Sequence, residues 1–333
     1  MPAEWEPQAA VWLSWPHNLE TWPTNLAEAQ AEFVTLVQAI AARQSVFVLA
    51  ASSRDSEVFA RCQTALGDIE NVTLLDIPTN DAWARDYAPT FVKNSNGQLA
   101  AINWHYNAWG GKYPPFDDDQ KVCAQVAEYL GIEIVDPKFC FEGGAIEVNT
   151  NGVLLSTKSC ALDPNRNPDH TLELVDQTLA RHLGTAKHIW LSGDAIAGDD
   201  TDGHIDQLAR FVDNQTIVYA WTAEDDSQYS GLARNLEDLQ RELSSAGLEK
   251  VSLVPLPIPT AIHYCERRIP ASYCNFLITN ELVIVPQFGQ PEDHLALAAL
   301  IPLFPSRTVL ALDSLNLSVG LGSFHCLSQH QPA

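Results

Sequence analysis

Residues 207–220, Gln-Leu-Ala-Arg-Phe-Val-Asp-Asn-Gln-Thr-Ile-Val-Tyr-Ala, are the clearest copy of the pattern that decides the fold. Two short apolar runs flank Asp213-Asn214, a dipeptide that favours tight turns, so the segment predicts a β-hairpin. Three other segments predict hairpins of the same kind: 90–104 around Asn96-Gly97, 145–156 around Asn151-Gly152 and 275–286 around Thr279-Asn280. The turns recur about every 60 residues, which indicates a repeated supersecondary unit.

Each predicted hairpin is one part of a longer unit. A polar loop precedes each hairpin, and a short apolar strand precedes each loop, at 72–77, 132–135, 188–191 and 251–256. Helical patterns lie between the hairpins near 118–130, 170–183 and 230–246. In the last of these, four leucines keep the three- and four-residue spacing of a helix with one buried face: Leu232, Leu236, Leu239 and Leu243. Strands and helices that alternate in this way predict an α/β fold.

The C-terminal part repeats the unit incompletely. A strand at 308–312 leads into a glycine-bearing loop and then a strand that we expect to begin near Phe324, but no second hairpin strand follows. The N-terminal part supplies a lone strand at 10–15 and a helix at 26–42. We therefore predict that the terminal strands pair and close a ring of five units, with 46–66 as an inserted strand and helix. An α/β sandwich with regularly spaced hairpins is the alternative.

Composition limits the classes of partner. The chain has 42 acidic and 19 basic residues and a formal net charge of −23, which repels nucleic-acid phosphates and anionic lipid and favours small cationic partners. No apolar stretch reaches the roughly 18 residues of a membrane span, and the first residues lack the features of a secretion signal. The seven cysteines are odd in number and lack CxxC pairs, which fits a reducing compartment.

These observations predict a cytoplasmic protein without a nucleic-acid or membrane partner. No linker or low-complexity stretch divides the chain, so we expect residues 1–333 to form a single domain. A homodimer is compatible with the sequence.

If five units surround an axis, the loop that enters each hairpin points toward the same place. Every one of these loops carries reactive or hydrogen-bonding side chains: Trp83-Ala84-Arg85-Asp86, Glu142-Gly143-Gly144, the segment 199–206, Ser272-Tyr273-Cys274-Asn275 and the segment 320–326. Carboxylates, a histidine and a cysteine that meet at one point are suited to nucleophilic attack on a cationic substrate.

Cys326 is the candidate nucleophile. Isolated free cysteines are more often buried and inert, but Gly320 and Gly322 allow the backbone beside Cys326 to turn closely and approach a ligand. We expect the strand that follows to hold the sulfur in place. His204 and Asp206 are two residues apart, so on a strand their side chains would reach the same cavity.

A metal site in the segment 199–206 is the less favoured interpretation. With Gly203 at the sixth position of an EF-hand loop, Gly198 would occupy the first ligand position, and no second histidine follows at helical spacing. The run 117–119 of three aspartates is interpreted as the solvated first turn of a helix. Trp83 fits the core, but an indole that lines the pocket could also stack on a guanidinium group.

At these residues the chain resembles the agmatine deiminase family, relatives of the bacterial peptidylarginine deiminases within the guanidino-modifying (pentein) superfamily. The motifs that carry the resemblance run nearly end to end: Met1-Pro2-Ala3-Glu4-Trp5-Glu6-Pro7, Trp12-Leu13-Ser14-Trp15-Pro16, Trp83-Ala84-Arg85-Asp86-Tyr87-Ala88-Pro89-Thr90, Trp109-Gly110-Gly111-Lys112-Tyr113, Glu142-Gly143-Gly144, Asn165-Arg166-Asn167-Pro168, the segment 200–206, Pro270-Ala271-Ser272-Tyr273, Val285-Pro286-Gln287-Phe288-Gly289 and His325-Cys326. The resemblance implies a five-bladed α/β propeller with pseudo-fivefold repeats and a central active site.

The resemblance also implies an activity and a set of roles. The expected reaction is hydrolysis of agmatine to N-carbamoylputrescine and ammonia through a covalent Cys326 thiouronium. His204 would handle the protons and Glu142 would orient His204 or a guanidinium nitrogen. The substrate is expected to contact Asp86 and Asp206, which grip the guanidinium, with Trp83 and Asp200 as further contacts. A small cationic guanidine is then the partner, and no metal or organic cofactor is required.

One position departs from the family pattern, and two other functions stay open. Leu321 stands where the family usually has glycine, which adds a β-carbon beside the nucleophile. A peptidylarginine or arginine deiminase of the same superfamily would need a basic residue such as Arg166 aimed at the substrate carboxylate. A protein that binds guanidines or polyamines without catalysis is the third hypothesis, and steady ammonia release from agmatine separates it from an enzyme.

Overall fold

The computed structural model describes residues 1–51, 55–193 and 195–333, and this part of the chain has a mixed α/β fold. Four sheets in it share one plan: two antiparallel strands form a hairpin, and a third strand lies parallel to the second. Their strands are Thr90–Lys93, Leu99–Ile102 and Glu133–Val135; Glu147–Val148, Val153–Thr157 and Lys187–Leu191; Ala209–Asp213, Thr216–Trp221 and Ser252–Pro257; and Leu277–Ile278, Leu282–Gln287 and Thr308–Asp313. The four predicted hairpins and the strand after each are confirmed.

The terminal segments form the fifth sheet. Gln8–Ser14 pairs antiparallel with Ser328–Pro332, which confirms the predicted pairing of the two terminal strands. Ser45–Leu49 and then Val72–Leu75 extend this sheet in parallel, so it has four strands. The inserted strand and helix are therefore present, although positions 52–54 of the predicted insertion lie outside the described residues.

Helices connect the parallel strands and cover the sheets. The longer ones are Leu26–Ala41, Ser56–Leu66, Asp119–Leu130, Leu172–Leu183, Tyr229–Ser245 and Asp293–Leu300, and single-turn helices lie at Ala108–Gly111, Lys158–Ala161 and Leu315–Ser318. In Tyr229–Ser245 the predicted leucine stripe faces the core, where Leu232, Leu239 and Leu243 are buried. Burial of apolar side chains at this spacing removes them from water, which stabilises the packing of the helix against its sheet. Within the described residues, no helix has the length and apolar character needed to cross a membrane.

Five short helical turns carry the loops that enter the sheets. They lie at Ala84–Tyr87, Gly143–Ala145, Ile205–Gln207, Tyr273–Asn275 and Phe324–Leu327, each directly before the first strand of a sheet. Two predictions about local structure are therefore wrong. The last strand begins at Ser328 rather than near Phe324, and His204 and Asp206 do not lie on a strand, because His204 directly precedes a 3-10 turn and Asp206 lies within it. A turn projects side chains in several directions, which suits it to line a common site.

Candidate active site

A cavity of about 540 Å³ opens above these turns. Four of the seven predicted site residues line it: Trp83, Asp86, Asp200 and Cys326. The other three, Glu142, His204 and Asp206, are almost fully buried directly behind its wall. The structure thus gathers all seven from turns that are far apart in sequence.

The Cys326 thiol lies at the bottom of the cavity in a polar setting. Asn275 donates its side-chain N–H to the sulfur at 3.2 Å, and the thiol lies 3.5 Å from Oδ2 of Asp206. The side-chain oxygen of Asn275 also accepts the backbone N–H groups of His325 and Cys326, so this amide fixes the turn as well as the sulfur. Burial, followed by the charges of Asp206 and Asp86, raises the pKa of the Cys326 thiol well above its usual range.

Asp206 is held by His325, a residue of the His325-Cys326 motif for which the sequence predicted no role. Nδ1 of His325 lies 2.8 Å from Oδ2 of Asp206, and Nε2 of the same ring lies 2.8 Å from Oε2 of Glu4. Burial acts to raise the pKa of Asp206, but the hydrogen bond and charge of His325 outweigh it and the pKa is lowered. Oδ1 of Asp206 is buried without a hydrogen-bond partner among the described residues.

Asp86 and His204 meet beside a glycine. Asp86 accepts the indole N–H of Trp109 and the backbone N–H of Gly144, each at 2.9 Å, and lies 3.7 Å from Nδ1 of His204. A β-carbon on Gly144 would lie 2.5 Å from that nitrogen, so the close approach requires glycine. Burial is the main reason that the pKa of Asp86 rises to about 6. For His204, burial acts to lower the pKa, but Asp86, Cys160 and Glu142 raise it well above its usual range.

Glu142 belongs to a buried ion cluster. Nε of Arg166 donates to both carboxylate oxygens of Glu142, at 2.8 and 3.0 Å. The other nitrogens of Arg166 donate to Asp163, Asp202 and the carbonyl of Thr201. Although burial acts to raise it, Arg166 and His204 lower the pKa of Glu142 to about 2. Arg166 is bonded within this cluster and does not line the cavity, so it does not supply the basic group that an arginine or peptidylarginine deiminase would aim at a substrate carboxylate.

The nucleophile loop packs tightly against tryptophans. A β-carbon on Gly322 would lie 2.4 Å from the ring of Trp83, and one on Gly320 would lie 2.8 Å from the ring of Trp22. Leu321 between them has φ of 80°, in the left-handed region that favours glycine, and its side chain lines the cavity. Leu321, the position that departs from the family pattern, therefore has a strained backbone and faces the cavity.

The outer part of the cavity is acidic. Asp200 accepts the hydroxyl of Tyr113 and lies 3.9 Å from the guanidinium of Arg267. Deeper in the wall lie Asp81 and Asp119, two buried aspartates whose pKa values are raised by burial. Asp119 belongs to the run 117–119 that was expected to be solvated. That expectation is wrong for Asp118 and Asp119, which are 3% and 2% exposed. The backbone N–H of Asn80 donates to the Asp119 carboxylate at 2.7 Å, and the side-chain oxygen of Asn80 accepts the backbone N–H of Asp118 at 2.8 Å.

Asp199 stabilises the start of the acidic segment 199–206 by its own hydrogen bonds. The carboxylate of Asp199 accepts the backbone N–H of Thr201, its hydroxyl, and the N–H of Gly203, so it braces the turn before His204. Within the described residues, the three metal-binding side chains that do lie close together are Glu142, Cys160 and His204, with ligand atoms within 4.8 Å of one another.

Known proteins resemble this chain over almost its whole length. The model of the Porphyromonas-type peptidyl-arginine deiminase family matches residues 1–332. The chain belongs to this family. It is 35% identical to the agmatine deiminases of Pseudomonas savastanoi pv. phaseolicola and Pseudomonas syringae pv. syringae, over 100% of this chain and 95% of each relative. The family predicted from the sequence motifs is therefore confirmed.

Solved structures agree with the sequence comparison. A Cys-to-Ser variant of C. jejuni agmatine deiminase with substrate bound is similar with a TM-score of 0.89 and 32% identity, covering 100% of this chain and 96% of that one. Agmatine deiminase of Enterococcus faecalis gives 0.90 and 30%, with 100% and 95% covered. A dimethylarginine dimethylaminohydrolase gives 0.52 at 12% identity, which shows a shared fold alone.

Several residues of the site were missed from the sequence. His325, Asn275 and Arg85 were quoted within motifs, but no role was assigned to them. Glu4 lies in the N-terminal segment. Its buried carboxylate accepts hydrogen bonds from Arg85 and Arg210 and lies within hydrogen-bond distance of His325. In the sequence, only the place of Glu4 in the first motif pointed to a role, because a lone glutamate in a polar segment has no local pattern that indicates burial.

Proposed function

We propose that this chain is an agmatine deiminase, which hydrolyses agmatine to N-carbamoylputrescine and ammonia. The observation that supports it best is the unpartnered Oδ1 of Asp206, buried beside a thiol that lies at the bottom of an acidic cavity. A buried carboxylate oxygen without a donor is unfavourable, and a guanidinium N–H would satisfy it. The agmatine deiminases to which the chain is similar support the same substrate.

Binding would prepare the nucleophile. In the free site, burial and two carboxylates keep Cys326 as a thiol. A guanidinium held by Asp86 and Asp206 places positive charge beside the sulfur, which lowers the thiol pKa and lets its proton pass to solvent. Trp83 and Asp200, both in the cavity wall, are proposed as further substrate contacts.

The first chemical step forms the covalent intermediate. The thiolate sulfur bonds to the guanidinium carbon, and the imidazolium of His204 gives its proton to one nitrogen of the resulting adduct. The bond between that nitrogen and the carbon breaks, ammonia leaves, and an S-substituted thiouronium remains. His204 enters this step protonated because neighbouring groups raise its pKa, and Glu142, anionic with a pKa near 2, supports that charge.

The second step releases the product. Neutral His204 takes a proton from water as the water oxygen bonds to the thiouronium carbon. The carbon–sulfur bond then breaks, the sulfur leaves as thiolate, the hydroxyl proton passes to solvent, and a urea remains. The far ammonium of agmatine suits the acidic wall of the cavity, where Asp81 and Asp119 are candidates to bind it.

Four broader predictions accompany this function. The four three-stranded sheets of one plan and the terminal sheet are proposed to form a five-bladed propeller around the cavity, supported by the strand order that the four share. Residues 1–333 are proposed to form one domain, and the cytoplasm is the proposed compartment. A homodimer stays a prediction, which light scattering on the purified protein tests.

Turnover of agmatine by the purified protein tests the function. We expect steady release of ammonia and N-carbamoylputrescine, and Cys326→Ser should lower kcat by about a thousandfold or more because the nucleophile is lost. Cys274→Ser is the matched control, since that thiol is also buried in a neighbouring turn but donates to the backbone carbonyl of Leu208 and does not line the cavity. Absence of turnover in the parent would favour a binding protein, and activity retained by Cys326→Ser would refute the mechanism.

A peptide with C-terminal arginine is the second candidate substrate. The family name and Arg267, the arginine that lines the outer cavity and is 54% exposed, favour it. Agmatine should nevertheless exceed free arginine and such a peptide in kcat/KM by about a hundredfold, because their carboxylates face an acidic wall. Equal or better use of the peptide, with loss of that use in Arg267→Ala, would move the assignment.

A further inference from the structure

Cys160 lies behind His204 and contacts neither the substrate nor the reacting atoms in the proposed reaction. Its sulfur is 3.6 Å from Oε2 of Glu142, and Nε2 of His204 is 3.6 Å from the same carboxylate oxygen. All three side chains are buried, none is more than 1% exposed, and their ligand atoms lie within 4.8 Å of one another. A sulfur, a nitrogen and an oxygen thus face one small volume.

The separations match those around a tetrahedral zinc ion. Zinc bonds of about 2.3 Å to sulfur and about 2.0–2.2 Å to nitrogen and oxygen place neighbouring ligand atoms about 3.4–3.6 Å apart. Both separations to Oε2 are 3.6 Å, and the sulfur and the His204 nitrogen lie within 4.8 Å of each other, so the three side chains need to move inward by at most about an ångström at that third pair. Thiolate, imidazole and carboxylate are also the ligand types that zinc prefers.

A second observation points to a ligand at the same place. Nε2 of His204 is buried without a hydrogen-bond partner, although it faces Glu142 and Cys160. Once it loses its proton, an imidazole nitrogen in this position can bind a metal. We propose that Zn²⁺ binds to Glu142, Cys160 and His204 as a reversible inhibitor, with water at the fourth position.

Charge and protons balance in this complex. The thiol of Cys160 loses its proton on binding, His204 binds through an unprotonated Nε2, and both protons pass to solvent. The thiolate and the Glu142 carboxylate neutralise the two charges of the ion. Arg166 keeps its bonds to the same carboxylate and is itself balanced by Asp163 and Asp202.

Inhibition follows from the role of His204. An imidazole whose Nε2 is bonded to zinc cannot cycle between its protonated and neutral forms, so proton transfer stops. Cys160 and Glu142 do not line the cavity, hence the ion should lower kcat more than it raises KM for agmatine. The metal is an inhibitor in this proposal, so exhaustive chelation should leave activity unchanged or raise it.

Cobalt(II) as a spectroscopic substitute for zinc tests the site independently of agmatine turnover. In Cys326→Ser the nucleophilic thiol cannot bind the metal, and we expect one equivalent of Co²⁺ to give thiolate-to-metal charge-transfer absorption that Zn²⁺ displaces. In the double variant Cys160→Ser, Cys326→Ser this absorption should disappear. Cys326→Ser combined with Cys265→Ser, which removes the exposed thiol, should keep it.

Inhibition of the active enzyme gives a second measurement. Zn²⁺ should inhibit Cys160→Ser at least about tenfold more weakly than the parent or the buried-thiol control Cys123→Ser, since removal of one of three ligands weakens binding. Cys160→Ala replaces Cys160→Ser if the serine variant does not fold, as judged by circular dichroism. No charge-transfer absorption in Cys326→Ser, or absorption that survives loss of Cys160, overturns the proposal. Loss of agmatine turnover in the parent would instead bear on the proposed function.

Discussion

Two buried ion clusters support opposite sides of the reaction site. The Glu142 cluster comprises Glu142, Asp163, Arg166 and Asp202 and lies behind His204, with Asp202 still 33% exposed at its outer end. The Glu4 cluster comprises Glu4, Arg85, Glu147, Arg210 and His325 and lies below Asp206, and every side chain in it is at most 5% exposed. One cluster reaches the solvent, whereas the other is enclosed.

The two clusters also differ in the distances along the sequence that their contacts join, and this difference indicates different tasks. Contacts of the Glu4 cluster join residues up to 321 positions apart, from the first segment to the nucleophile loop, so it ties several sheets together. The Glu142 cluster joins residues within about one repeat and sets the charge next to His204. We therefore expect the Glu4 cluster to control mainly stability and the Glu142 cluster to control mainly catalysis.

The largest expected effect is on folding, from Glu4→Gln. The amide cannot balance Arg85 and Arg210, and breaking buried ion pairs of this kind typically lowers the free energy of unfolding by about 3–5 kcal/mol. Urea unfolding monitored by circular dichroism measures it. Glu281→Gln, which breaks an exposed pair with Arg43, is the matched control and should cost less than about 1 kcal/mol. Equal losses would contradict the division of tasks.

The next effect is on catalysis, from Arg166→Lys. Lysine cannot keep the bonds to Glu142, Asp163 and Asp202 together, so Glu142 should lose its fixed orientation beside His204. We expect kcat for agmatine to fall about 10- to 100-fold with KM nearly unchanged, because Arg166 is outside the cavity wall. Steady-state kinetics measures both constants. A rise in KM without loss of kcat would show that Arg166 acts on the substrate instead.

A smaller effect comes from pH, through the carboxylate of Asp86. This residue belongs to neither cluster and pairs with no arginine in the described structure. Burial raises the pKa of Asp86 to about 6, so its anionic, guanidinium-binding form predominates above this pH and is lost below it. kcat/KM should therefore fall about tenfold per pH unit below 6. Glu142, with a pKa of about 2, should add no step in this range. A profile that stays flat between pH 7 and about pH 5, with the fold intact, would exclude Asp86 as the titrating group.

The smallest effect is expected at Leu321, which lies outside both clusters. Leu321→Gly removes the strain of a positive φ, worth about 1–2 kcal/mol, but glycine gives the unfolded chain more freedom, worth about 0.4–1 kcal/mol. The net change in the free energy of unfolding should stay within about 1 kcal/mol. The larger cavity should change KM for agmatine only a few-fold. A change as large as that of Arg166→Lys would show that the loop itself limits the reaction.

Much of the fold could be predicted because its signals are local. Turn dipeptides such as Asn96-Gly97 and Asp213-Asn214, and the stripe from Leu232 to Leu243, depend only on neighbouring residues. The pairing of the terminal strands followed from one missing partner in a repeated pattern. The helical turns that carry His204 and Cys326 were not predicted, since a single turn has too few residues for a periodicity.

The predicted site residues came together, but their supports were largely missed. Asp86, Asp206 and Cys326 follow from the motif pattern, whereas the burial of Glu4 depends on Arg210, which is 206 positions away. Asp119 was misjudged because an aspartate in a first helical turn is usually solvated, and here Asn80 from another segment covers it. Such packing is decided by the whole fold rather than by the neighbouring sequence.

The pairing of Gln8–Ser14 with Ser328–Pro332 has a consequence for how the enzyme is made. The strand that follows the nucleophile finds its partner among the earliest residues, with contacts such as Trp12 to Gln331 spanning 319 positions. Closing so long a segment has a large entropic cost, and folds rich in such distant contacts assemble slowly. During refolding, helix formation should therefore precede the return of activity. The neighbours of the thiol, Asn275 and Asp206, lie 51 and 120 positions before it in the sequence, so the reactive centre is also assembled by distant contacts and should be among the last parts of the molecule to mature.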